Sequence, residues 1–208
     1  SPYHWTLGSM STPQSPFKLI SLTVGSSNPT LLIGYGAYGS NLETHFRPEY
    51  VSLLQRGWIL ALAHVRYGCD LQQFLTFTDY HTRGGSELGR KWYEDGKKHK
   101  KRNSFSDFIA CAQYLISSRK TSPNLLCAKG SSAGGLLIGM HEADGYFHIS
   151  NTILGVAANE HSDLFQAMIA KVPFVDVLTS MLDESLPLTV HEYDEWGSPA
   201  DDPEVRSC

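Results

Sequence analysis

The chain has 208 residues, enough for one domain with a sizeable core, and no apolar run approaches the ~20 residues of a membrane-spanning helix. With 41% hydrophobic and 18% charged residues the composition is that of a globular protein rather than a disordered one. A formal net charge of −4 argues against a nucleic-acid or anionic-membrane partner, and four cysteines without CxxC or other metal-ligand spacing argue against a metal centre.

In chain order, residues 1–27 read as an irregular lead-in. They open with SPYHW, without an initiator Met, a basic leader or a signal peptide, which suggests a fragment or a processed product. TLLIGYG (Thr30–Gly36) is a short apolar run ended by glycines, hence a buried strand. PEYVSLLQRG (Pro48–Gly57) has Pro in its first turn and Gly at its end, hence a short helix. WILALAHV (Trp58–Val65) is a second buried strand. The basic run KKHKKR (Lys97–Arg102) reads as a solvated loop leading into a helix, with a localisation signal or phosphate patch as the lesser alternative. SFSDFIACAQYLISSR (Ser104–Arg119) carries apolar residues at helical spacing, and Ser104 with Asp107 has the spacing of an N-terminal capping box. NLLCAKG (Asn124–Gly130) is a third strand, AGGLLIGM begins another helix, and FQAMIAKVPF (Phe165–Phe174) contains a fourth strand. This alternation predicts an α/β fold with a mostly parallel sheet. Cys111 falls in a helix pattern and Cys127 in a strand pattern, so both are expected to be buried free thiols, consistent with a reducing, cytoplasmic setting.

The stretch GSSAGG (Gly130–Gly135) stands between a predicted strand and a predicted helix. Gly130, Ser132 and Gly134 match G-x-S-x-G in the context that motif requires, a sharp turn lifting a serine hydroxyl off the sheet. Small neighbours two residues to either side are what a strained turn needs, and the following helix N-terminus offers N–H groups to a developing oxyanion. Outside that context the same residues would be a plain Gly/Ser turn.

Together GYGAYG, RGWILALAHVR, GGSELGRKWYEDGK, NSFSDFIACAQYLI, GSSAGGLLIG and VPFVDVLTSMLDESLPLTVHEYDEWGSP resemble the peptidase domain of the prolyl oligopeptidase family, its oligopeptidase B branch above all, over roughly residues 28–204. The resemblance implies an α/β-hydrolase fold and a serine peptidase that hydrolyses short peptides without a cofactor or metal. It implies Ser132 as nucleophile, the backbone N–H of Ala133 as one oxyanion donor and the hydroxyl of Tyr35 as the second. It also implies that Glu192 and Asp194 bind the Arg or Lys preceding the scissile bond, where two carboxylates suit a guanidinium. The plain alternatives are a core tyrosine for Tyr35 and an acidic surface loop for the pair.

Residues 67–83 and 140–155 interrupt the family pattern, each in frame, and removing them restores it. They read as insertions of intron-like sequence or errors of gene structure. The pattern stops after DDPE, so the last strands of the sheet are expected to be missing. In this fold the acid and the His of the triad follow the serine. His141, His148, His161 and His191 do follow Ser132, but none stands where the family's base is expected, and the counterpart of Asp176 is not the triad acid. The resulting expectation is a peptidase domain, residues 28–208, that is partial and inactive alone. An acyl-ester hydrolase on the same fold and a non-catalytic truncated isoform are the alternatives, and the oligomeric state is open.

Overall fold

A computed structural model describes residues 17–20, 27–42, 47–63, 84–86, 89–139, 156–202 and 205. The predicted insertions, residues 67–83 and 140–155, lie outside the described residues. Five strands form one sheet: β1 (Phe17–Ile20), β2 (Thr30–Gly34), β3 (Ile59–Ala63), β4 (Leu126–Ser131) and β5 (Ala167–Lys171), in the order β1-β3-β2-β4-β5. β1 runs antiparallel to β3, and every other pairing is parallel. The helices are α1 (Pro48–Leu54), α2 (Arg90–Glu94), α3 (Arg102–Ser117), α4 (Gly135–Ile138), α5 (Val156–Glu160), α6 (Val177–Leu182) and α7 (Thr189–Trp196).

All five residues of β2 and of β3 are buried, as parallel strands covered on both faces must be. Successive side chains leave a strand on opposite faces. Leu32, Ala61, Leu126 and Ala128 therefore meet Phe105, Phe108 and Leu115 of α3 and Leu136–Ile138 of α4 on one face. Leu31, Ile33, Leu60 and Leu62 meet Leu54 and Tyr50 of α1 on the other. β5 alternates between exposed and half-buried residues, and Ile169 is 47% exposed.

Two sequence expectations change. Phe17–Ile20 is a strand paired along Ala63–Leu60 of β3, not an irregular lead-in. Four residues after a proline carry no legible period; pairing with a formed sheet decides their structure. α3 begins at Arg102 with Lys101 at its N-cap and no side-chain cap, so Ser104 and Asp107 do not form a capping box. A 3-10 turn at Lys98–Lys100 runs directly into the helix and draws its start upstream, and the Ser104 hydroxyl donates instead to the Gly96 carbonyl at 3.3 Å.

The chain leaves β2 toward β3 on one side, and β4 lies on the other. In an open parallel sheet the crevice beyond the strand ends at such a reversal is where ligands bind. Gly34 at the end of β2 is in register with Gly130 in β4, so Tyr35 and Ser132 emerge side by side there.

Candidate active site

Ser132 is exposed, with φ +53°, in the left-handed region that a non-glycine residue adopts only under constraint. It opens a 3-10 turn, Ser132–Gly134, that continues into α4. The carbonyl of Ser132 accepts from Phe174 N–H at 2.9 Å, tying the turn to the segment after β5. Gly130 explains the first motif glycine: a Cβ there would lie 2.0 Å from the Gly134 carbonyl oxygen. Ala133 is 2% exposed, and its N–H belongs to the first turn, whose donors have no partner inside the helix.

The structure places Tyr35 beside the serine turn: a Cβ added at Gly134 would lie 3.0 Å from Tyr35 Cα, and the Ser132 side chain acts on the phenol's titration. Burial raises the Tyr35 phenol pKa, the Ser132 side chain lowers it, and the charges of Glu192 and Glu195 raise it further; the net shift is upward. The phenol therefore stays protonated at neutral pH and can donate. Among the described residues no histidine forms a hydrogen bond or ion pair with Ser132.

The two sequence-predicted acids stand apart in their partners. Glu192 and Asp194 are two residues apart on α7, about 200° around a helix, so they leave it in different directions. Glu192 is half-buried and accepts hydrogen bonds from the Tyr38 hydroxyl and, at 2.9 Å, from Trp196 Nε1. Both donors are neutral, and among the described residues Glu192 has no cationic partner. Asp194 has a side chain 71% exposed and accepts from Lys97 Nζ at 3.0 Å and from the Tyr93 hydroxyl at 3.4 Å. Lys97 holds its carboxyl below the usual range. Tyr35, Tyr38, Trp196 and Phe174 form a chain of ring contacts with centroids 5.7–6.3 Å apart that leads from Ser132 to Glu192.

Sequence reasoning missed Lys101 and Glu195. The basic run is, as expected, a partly exposed turn leading into α3, with one exception: Lys97 pairs with Asp194 and Lys100 with Asp95, but Lys101 is buried against Glu195. One signal was available. Positions 101, 105, 108, 112 and 115 share one helical stripe, so Lys101 alone in that run faces the core. Among the described residues no group of three or more His, Cys, Asp or Glu is placed to hold a metal ion, and no helix is long and apolar enough to cross a membrane.

The family model of the prolyl oligopeptidase family matches residues 44–148 and 152–207. The chain is 44% identical over 171 residues to "Protease 2" of Moraxella lacunata, covering 82% of this chain and 20% of that protein. It is 37% identical over 174 residues to the human "Prolyl endopeptidase-like" protein, covering 84% of this chain and 19% of the other. Among solved structures, oligopeptidase B from Trypanosoma brucei with covalently bound antipain superposes with TM-score 0.71 at 39% identity, over 91% of this chain and 22% of that one. Oligopeptidase B from Leishmania major gives 0.67 at 38% identity, over 88% and 21%. The chain spans about a fifth of the length of these relatives. The parallel sheet with its serine turn is thus an α/β-hydrolase domain, and the chain belongs to the prolyl oligopeptidase family.

Proposed function

We propose that the protein carrying this chain is a cytoplasmic serine peptidase that hydrolyses short peptides after Arg or Lys. Ser132 Oγ attacks the scissile carbonyl. The Tyr35 hydroxyl and the Ala133 N–H donate to the oxyanion that forms. The leaving amine takes the proton that a general base removed from Ser132. Among the described residues no base reaches Ser132, and the family resemblance assigns neither the base nor its orienting acid to a residue of this chain; on that reading the 208-residue polypeptide by itself neither turns over peptides nor labels with a fluorophosphonate. Two free thiols, Cys111 and Cys127, support a reducing compartment.

One observation carries the specificity. Of the three α7 acids near the aromatic chain, Asp194 is neutralised by Lys97 and Glu195 by Lys101, whereas Glu192 is half-buried, fixed by two neutral donors, and lacks a cation among the described residues. A partly desolvated carboxylate in that state favours a cationic side chain. Asp194, already paired and solvated, supports the same preference from the rim.

The test compares kcat/KM for Arg and Ala amides in the full-length protein. A hydrogen-bonded charge pair contributes about 1.5–3 kcal/mol, so Glu192→Gln should cut the Arg-to-Ala ratio between about tenfold and a hundredfold. Asp194→Asn should cut it only a few-fold. An unchanged ratio in Glu192→Gln sinks the assignment, and faster turnover of short acyl esters than of Arg amides would favour the esterase reading.

A further inference from the structure

We propose that the buried Lys101–Glu195 pair is a positioning device that fixes the Tyr35 loop against α7, and so sets the oxyanion donor and the cation-binding acid in one geometry. The inference rests on the roles proposed above for Tyr35 and Glu192. The two side chains are 7% and 2% exposed, with Nζ to Oε1 at 2.5 Å. Each member also grips the loop that follows β2. Lys101 Nζ donates to the Gly36 carbonyl at 2.9 Å, and Glu195 Oε2 accepts from the Tyr38 N–H at 3.0 Å. These two backbone groups flank Ala37, two residues beyond Tyr35. Where β2 has ended and its ladder partners with it, the ion pair takes up the loop's polar groups.

The pair acts on α7 as directly. Glu195 is one turn from Glu192, so holding Glu195 fixes the rotation of the helix and the direction in which Glu192 points. Lys101 Nζ also lies 4.4 Å from the centre of the Trp196 ring, and Trp196 Nε1 donates to both Glu192 and the Tyr38 hydroxyl, the latter at 3.0 Å. Tyr35 and Glu192 are far apart in sequence and have no ladder in common. The pair joins them through one backbone contact on each side of Ala37 and one helical turn.

Stability is a poor reason for such a pair. Taking two charges out of water offsets most of their attraction, and an apolar pair of similar volume is often as stable. Geometry is the better reason, because a shift of ~1 Å in a catalytic group can lower the rate about a hundredfold.

That contrast sets the experiment, on the full-length protein. The apolar swap Lys101→Met with Glu195→Leu removes both charges together. Active sites are counted by fluorophosphonate labelling at Ser132, and kcat per labelled site is measured on a neutral ester and on an Arg amide. The expected result is a thermal midpoint within a few degrees of the parent and a kcat per site more than tenfold lower on both substrates. A folded double variant with kcat per site within twofold of the parent overturns the inference. Should the swap not fold, Glu195→Asp keeps the charge but shortens the reach by one methylene. It should fold and lose several-fold in kcat, and full activity there overturns the inference equally. The neutral ester reports on Tyr35 without Glu192, so a failed Arg preference and a failed positioning role give different patterns. A parent protein that neither labels nor turns over would overturn both readings.

Discussion

Replacing Gly130 with alanine should unseat the serine turn by a purely steric route. Gly130 is not among the residues with positive φ, so its backbone would accept a side chain. Space would not. An added Cβ meets the Gly134 carbonyl oxygen at 2.0 Å, the Gly134 carbonyl carbon at 2.6 Å and Ile138 Cγ1 at 2.7 Å. The first two obstacles are backbone and cannot rotate aside, so van der Waals contact requires about 1.5 Å of relative movement. Gly134 has little room to give, since a Cβ on it would itself lie 2.7 Å from the Gly34 carbonyl oxygen of β2. Overpacking of this kind costs about 3 kcal/mol, a large part of the 5–15 kcal/mol that holds a typical domain. Equilibrium urea unfolding of the full-length protein should show that loss at unchanged m, with reduced labelling of Ser132. Gly89→Ala is the control. Its φ of +92° strains any side chain, but nothing lies within 4 Å, so stability should fall while the folded fraction labels normally. A Gly130→Ala protein within about 0.5 kcal/mol of the parent would refute the steric reasoning.

Three further outcomes follow from the geometry. On the proposed role of Tyr35 as an oxyanion donor, Tyr35→Phe should lower kcat about 100- to 1000-fold with little change in KM, read by steady-state kinetics of the full-length protein. Asp95 is held at a pKa of about 2, below the ordinary 3.8, by Lys100 and Lys91. Its stabilisation is present above pH ~4 and lost as pH falls through about 2. After discounting for solvent screening, Asp95→Asn should cost no more than about 1 kcal/mol at pH 7, and the difference from the parent should narrow below pH ~4 and close only as pH falls below about 2 in unfolding titrations. Cys111 is 2% exposed and burial pushes its thiol pKa up, so peptide mapping after native thiol modification should find it unmodified and half-exposed Cys127 modified.

The central strands were legible because parallel strands buried on both faces are written as short apolar runs, as TLLIG, closed by its glycine, and ILALA are. The serine turn was legible because its glycines are demanded by contact at 2.0 Å, and such demands leave fixed spacing. Phe17–Ile20 was not, because a short edge strand is decided by its partner rather than by its own pattern. Glu195 was hidden for a different reason. In HEYDEW three acids look alike by charge, and only packing separates Glu192, without a cation among the described residues, Asp194 paired on the surface and Glu195 buried. Lys101 left a trace, its place on the apolar stripe of α3, that the surrounding basic run concealed.

The register of β2 with β4 also sets a timetable. Thr30 pairs with Leu126, and the pairing reaches Gly34 with Gly130 just below Ser132. At ~5–20 residues per second, β2 leaves the ribosome roughly 5–20 s before its partner exists. During that interval β2 has β3 on one side, while the position that β4 will occupy is open. The left-handed serine is then assembled only by closing a loop of about a hundred residues, a non-local step that folds slowly. A nascent chain of this protein thus carries an exposed apolar strand edge for seconds and needs protection there, and the left-handed turn at Ser132 marks that the long-range half of folding is complete.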